Sequence, residues 1–379
     1  MGEQHLNQRK ELQGLQRGNS GQSKQTMRQS NLELLRIISM MLIVLCHFFY
    51  YNKFSLDQQP MGLKRIVLKT FLGSQGRVGV DIFFAISIWF LCKPKRPLAF
   101  HDTAKRAWIL ERTLLFWSVV LGIACMVAGI APKNIYMILN TILPTLSNDW
   151  GYATCYIVIL LLMPFVVKGL ACLSRQEHLV LCVIIIFIGP VMATIPGLEH
   201  HLLNTGLLSF LALLTLVTYI RWYHCEPAKP LIGVICLAMG YFIIGVEAYF
   251  GSQVYEMMDM GILLETFGWF ILFSKLHFSS RFVNWIASHV FAIYLITEFI
   301  PIRQWLWGTI FDYGPYYHGL ASIVYPIAVT LLISAICILF DMAKSAIFKL
   351  TVDRNKGHWF ELLWPKISMN TKTIREPDS

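Results

Sequence analysis

Charge is scarce in this chain. Only 14% of its 379 residues are Asp, Glu, Lys or Arg, against 56% hydrophobic, whereas a soluble domain is nearer a quarter charged. Together with a mean hydropathy of +0.56, that shortage excludes a soluble globular enzyme and leaves a polytopic membrane protein. The nine cysteines form no Cys-x-x-Cys pair and mostly sit inside apolar runs. They read as small buried hydrophobes, not as disulfide partners or metal ligands. His200–His201 lacks a carboxylate or thiol at ligand spacing, so no metal site is expected. Internal repeats and low-complexity blocks are absent too.

What is present is a series of apolar runs. Ten are long enough, or nearly so, to cross a bilayer: 33–51, 78–92, 109–130, 152–167, 178–195, 203–222, 230–250, 257–275, 285–308 and 319–342. With ten spans both ends share a side, and 24 of the 32 Lys and Arg fall on that side, against six on the other. The bias predicts cytoplasmic termini. It also accounts for the net charge of +10 through topology and anionic lipid, with no nucleic acid. The basic cluster between Met61 and Arg77 breaches the rule on the outer side.

Three regions follow from this pattern. Residues 1–30 are polar without an apolar core and are expected to be a disordered cytoplasmic tail rather than a signal peptide. Residues 31–345 form the all-α membrane domain, opened by a Ser30–Glu33 capping box. Residues 346–379 form a cytoplasmic C-terminal tail, with Trp359, Phe360, Leu362, Leu363 and Trp364 placed to lie along the membrane surface.

Ionisable groups inside such spans are costly and mark function. Arg36 and His47 share the first span, eleven residues apart. At ~100° and ~1.5 Å per residue they lie on one stripe of a helix, ~16 Å apart along its axis. That is the layout of a pore or tunnel. Arg77 and Asp81, four residues apart at the start of the second span, share one face and are expected near His47's depth. A histidine beside a carboxylate is a basic imidazole held in one tautomer, as a general base requires, and an arginine beside them steadies an oxyanion. On the cytoplasmic side, Arg106 and Arg112 flank the third span and are candidates for a phosphorylated donor, although ~120° separates them on an ideal helix. Glu298 lies deep in the ninth run with Arg303 five residues on, either as a structural pair or as part of a cavity. Trp150 and Tyr152, near the outer end of a span, are candidates to stack on a sugar ring; Glu247, Asp259 and Glu265 are further acids within later spans.

At these residues the chain resembles the acyltransferase-3 family of integral membrane acyltransferases. The likeness rests on a basic residue, ten intervening residues and a histidine in NLELLRIISMMLIVLCHF, on GRVGVDIFFAISIWFL, and on DWGYATCYIVILLLMP and HVFAIYLITEF further on. It covers about 36–345. Ser87-Ile88 stands where the family has Ser-Gly, Thr297 where it often has histidine, and Arg106 and Arg112 are six apart instead of three. The resemblance implies acyl transfer, chiefly acetyl, from cytoplasmic acetyl-CoA to a hydroxyl of a capsule, exopolysaccharide or lipopolysaccharide unit, without a metal. It implies His47, Asp81 and Arg77 as catalytic residues, Arg36, Arg106 and Arg112 at the coenzyme A phosphates, and an envelope polysaccharide or lipid-linked glycan as acceptor.

Two other functions compete with this one. A proton-coupled transporter would show Gly/Pro-broken helices in paired halves, which the sequence lacks. An envelope-polymer polymerase would carry a large arginine-rich outer loop, and the longest outer loop expected here is 52–77.

Overall fold

The computed structural model describes residues 29–94, 97–195, 206–224, 228–250, 259–354 and 357–368. The expectations for residues 1–28, His200–His201 and 369–379 lie outside these. Every regular element among the described residues is helical, as lipid demands of a chain that must satisfy its own backbone groups.

Seven helices are long and apolar enough to span. They are α1 (Ser30–Tyr51); a second span, Leu63–Leu91, which joins α2 (Leu63–Leu68) through a π turn to α3 (Gln75–Leu91); α4 (Phe100–Val127); α6 (Gly151–Ala171), after the short α5 (Ile135–Ile142); α8 (Gly206–Tyr223); α9 (Pro230–Phe250); and α14 (Ala321–Leu350). An eighth is a bent pair: α11 (Arg281–Ala287) and α12 (Val290–Glu298) run to Glu298, then turn by 74° into α13 (Ile300–Trp305). Pro301 explains the break, since it cannot donate to the Thr297 carbonyl and its ring clashes there.

The count of ten is therefore not reached. The run 178–195 is α7 (Arg175–Ile186), which passes into a π turn around Pro190. The run 257–275 is α10 (Met260–Ser274), whose 15 residues rise ~22 Å against a hydrocarbon core of ~30 Å. The second span is longer than expected, because it draws on the basic cluster before Arg77. Within that cluster Lys69 is buried and bonds Asp57 at 2.5 Å, with Arg65 at 3.6 Å from the same carboxylate.

The capping box is not made. The Ser30 hydroxyl instead donates to Asn284 and accepts from the Ser280 amide, both at 3.0 Å, tying the start of α1 to α11. Glu33 pairs with Arg36. The centre of the protein is α1 against α3, with Leu35, Phe48, Ile82 and Phe84 fully buried between neighbouring helices. Their antiparallel register is set by two glycines. A Cβ at Gly76 would meet the Cys46 side chain at 2.4 Å, and one at Gly79 the Ser39 carbonyl at 2.4 Å, so only a missing side chain allows backbones this close.

Candidate functional site

His47 lies near the end of α1, and the bend after Glu298 brings the last residue of α12 to it. Nδ1 of His47 stands 2.8 Å from Oε1 of Glu298, an ion-pair contact whose N–H line does not point at the oxygen. Such contacts tighten into hydrogen bonds when a substrate arrives. The other carboxylate oxygen accepts from Nη1 of Arg303 at 3.2 Å, and that guanidinium lies 4.2 Å above the Tyr51 ring. Glu298 thus makes the structural pair expected with Arg303, and it is not among the residues lining the basic cavity at the other end of the bundle. It also reaches His47.

Asp81 does not take this place. The crossings at Gly76 and Gly79 put Arg77 near the level of Cys46 and His47. Asp81 falls a turn beyond, nearer the Arg36 end, and it is buried with no ion pair among the described residues. The expectation of one shared depth fails because four residues along α3 rise ~6 Å, so with Arg77 level with His47, Asp81 lies a full turn away. Arg77 remains the charged neighbour of both Cys46 and Asp81.

At the other end of the bundle, between α3, α4, α12 and α14, is a cavity of about 1050 Å³. Six cations line it: Lys93, Lys105, Arg106, Arg112, Lys344 and Lys349, against the acids Asp102, Asp341 and Asp353. Both arginines flanking the third span therefore face one space, despite their six-residue separation. Arg112 bonds Asp353 and lies 5.4 Å over Phe348. The lysines of α14 were read from sequence only as topology signals, and nothing local in the sequence tells that they share a cavity with α4. Deeper in the same cavity, Nδ1 of His289 bonds Asp341 at 2.7 Å.

Arg36 is not part of this lining. Its guanidinium bonds Glu33 at 2.7 Å and sits 5.6 Å over Phe83. The lining ends inward at Tyr156, Phe291 and Ala292. Between that depth and His47 is an aromatic layer, with Phe83 at 6.2 Å from Phe291 and 6.1 Å from Tyr152, and Tyr294 at 5.8 Å from Tyr152. The expected open tunnel from Arg36 to His47 is thus interrupted by rings that stand between the basic cavity and His47. Tyr152 belongs to this layer. Trp150 is 1% exposed and its indole donates to the Leu295 carbonyl at 3.0 Å, so it is a core residue with no face offered to a sugar.

The remaining intramembrane acids gather elsewhere. Glu265 accepts from Gln75 at 2.9 Å, and Asp259 caps α10 by accepting from the Gly261 and Ile262 amides. No group of three His, Cys, Asp or Glu able to hold a metal occurs among the described residues.

Beyond Leu350 the chain turns over the basic cavity and docks α15 (His358–Ser368) on the start of α4. Glu361 bonds Lys105 at 2.6 Å and His101 at 3.0 Å, which holds its carboxyl below the ordinary glutamate range. Phe360 and Trp364 pack on His101 at 5.4 and 5.1 Å, while Trp359, Leu362 and Leu363 remain exposed.

One arrangement thus joins a histidine with a carboxylate partner to a basic cavity across an aromatic layer. A family model described as an acyltransferase domain, of the acyltransferase-3 type, matches residues 29–342. Neither a curated protein nor a solved structure gives a match.

Proposed function

The chain belongs to the acyltransferase-3 family and is a membrane acyltransferase, and from that premise we propose that it moves acetyl from acetyl-CoA to a hydroxyl of a cell-surface polysaccharide. The observation that carries this reading is the His47–Glu298 contact, 2.8 Å long, set apart from a cavity with six cations. Coenzyme A is an anion with phosphates at one end and the thioester at the other. Its phosphates suit Arg106 and Arg112, since arginine meets phosphate with two parallel N–H donors. Its pantetheine arm, which joins the phosphates to the thioester, would then run from these arginines in the basic cavity toward His47. The basic end then faces the cytoplasm, as the positive-inside bias favours, and the His47 end faces the glycan.

The chemistry needs one proton carrier. Once the contact tightens so that Nδ1–H donates to Glu298, Nε2 of His47 takes the proton of the acceptor hydroxyl as its oxygen attacks the thioester carbon. Arg77, at the same level, offers positive charge to the tetrahedral oxyanion. The C–S bond then breaks and the thiolate receives the proton from Nε2. Arg303 donates to the other Glu298 oxygen and holds the carboxylate in place.

The test is to delete the gene in its host and compare the envelope glycan with that of the parent strain by NMR. Loss of O-acetyl signals, restored by the gene in trans, is the expected outcome. An unchanged glycan would remove the polysaccharide acceptor from the account, and a glycan lacking a different acyl group would replace acetyl.

A further inference from the structure

We propose that His289 is a donor-binding residue that reads the pantetheine arm, an inference that rests on the donor reading of the basic cavity. His289 precedes α12, and Glu298 ends that helix. Nine residues, or ~13 Å of rise, therefore separate a histidine in the donor cavity from the carboxylate at His47. The cavity's outer rim is Lys93, Lys105, Arg106 and Arg112, so His289 lies between the cations that suit phosphates and the site that suits the thioester. That interval is where the two amides and the hydroxyl of pantetheine must run.

The hydrogen bonding of His289 fits such a task. Its Nδ1 lies 2.7 Å from Asp341 Oδ2, whose other oxygen accepts from Lys344 at 3.3 Å. His289 and Asp341 are 9% and 4% exposed, and a ring held this way keeps one tautomer and one orientation. When Nδ1–H donates to Asp341 and the ring carries that one proton, Nε2 presents its lone pair to the cavity. Nε2 has no partner among the described residues and is not among the sealed polar atoms. Around it the cavity offers mostly donors, the ammonium and guanidinium groups that phosphates need. A lone acceptor nitrogen suits instead an amide N–H or the hydroxyl of the arm. Trp285 packs on the ring at 5.5 Å and keeps it from turning away.

The measurement is calorimetric binding to the full-length protein in detergent, with two probes. Coenzyme A carries the arm, and adenosine 3′,5′-bisphosphate carries phosphates without it. His289→Ala is expected to weaken coenzyme A about tenfold, the scale of one lost hydrogen bond, and to leave the bisphosphate within about twofold. His289→Gln, which returns an amide oxygen near the Nε2 position, is expected to recover most of the loss and serves if the alanine variant does not fold. Equal weakening of both probes, or an unchanged coenzyme A affinity, would overturn the proposal. If the bisphosphate binds the native protein and only the His289 effect is missing, the donor cavity stands without this residue. If neither probe binds the native protein, the donor reading falls and this inference falls with it.

Discussion

α12 carries a histidine–carboxylate pair at each end, and their surroundings differ. At one end His47 meets Glu298, whose second oxygen is held by Arg303 beneath the Tyr51 ring. At the other, His289 meets Asp341, whose second oxygen is held by Lys344, and the ring faces a cavity crowded with cations. The pair chemistry is the same: a carboxylate fixes one imidazole nitrogen and a cation balances the carboxylate. What each free nitrogen can meet is different. The cations near His47 are Arg303, which is taken up by Glu298, and Arg77, and the site suits proton transfer, whereas His289 faces the cavity lined by six cations and suits recognition.

The sharpest way to break this comparison is to neutralise the two carboxylates in turn. Glu298→Gln is expected to lower the rate of labelled acetyl incorporation about 10²–10³-fold, the scale of a disabled general base, with coenzyme A affinity intact. Asp341→Asn is expected to do the reverse, weakening donor affinity several-fold with a far smaller change in maximal rate. If both variants lose maximal rate alone, the two ends do not divide the work.

A smaller effect is expected at the rim. Arg112→Gln should raise the KM for acetyl-CoA about tenfold, because a charge-assisted pair with phosphate is lost, and Arg112→Lys should restore only part of it. Steady-state assays at two salt concentrations check this. The KM of the native protein should climb with salt, since this end is open to water, and the climb should flatten in the glutamine variant.

The smallest effect belongs to α15. Glu361 is held below the ordinary glutamate range by Lys105 and His101. A depressed folded value means that its contribution is fully present above the unfolded value of about 4.3. It is lost as pH falls through the lowered one. Spin labels at the exposed positions 115 and 359 should therefore keep a fixed separation at neutral pH and spread at strongly acid pH. Glu361→Gln should spread them at neutral pH also, and an unchanged separation there would show that Phe360 and Trp364 hold the helix alone.

The sequence was most legible where the signal is local. Apolar run lengths gave the helical membrane class, and the Arg36–His47 spacing placed two ionisable groups on one helix. The second span was read too short because Lys64, Arg65 and Lys69 interrupt its apolar pattern, and the fold satisfies Lys69 and Arg65 with Asp57. Asp81 was expected beside His47 because α1 and α3 are consecutive, but register between antiparallel helices is set by which side chains are missing at the crossing. Gly76 and Gly79 decided that. Glu298 was visible as an intramembrane acid, yet its reach to His47 depends on the bend at Pro301 and on a contact between the first and twelfth helices. His289 is not legible in the sequence, because a histidine beside serine has no partner in its own stretch and Asp341 comes from another helix.

The most direct test of the account is His47→Ala, measured in one preparation for coenzyme A binding by calorimetry and in cells for glycan acetylation by NMR. The variant is expected to bind coenzyme A as the native protein does and to leave the glycan without O-acetyl signals. Acetylation retained at the native level, with the variant present in the membrane, would contradict the assignment of His47 as the proton carrier.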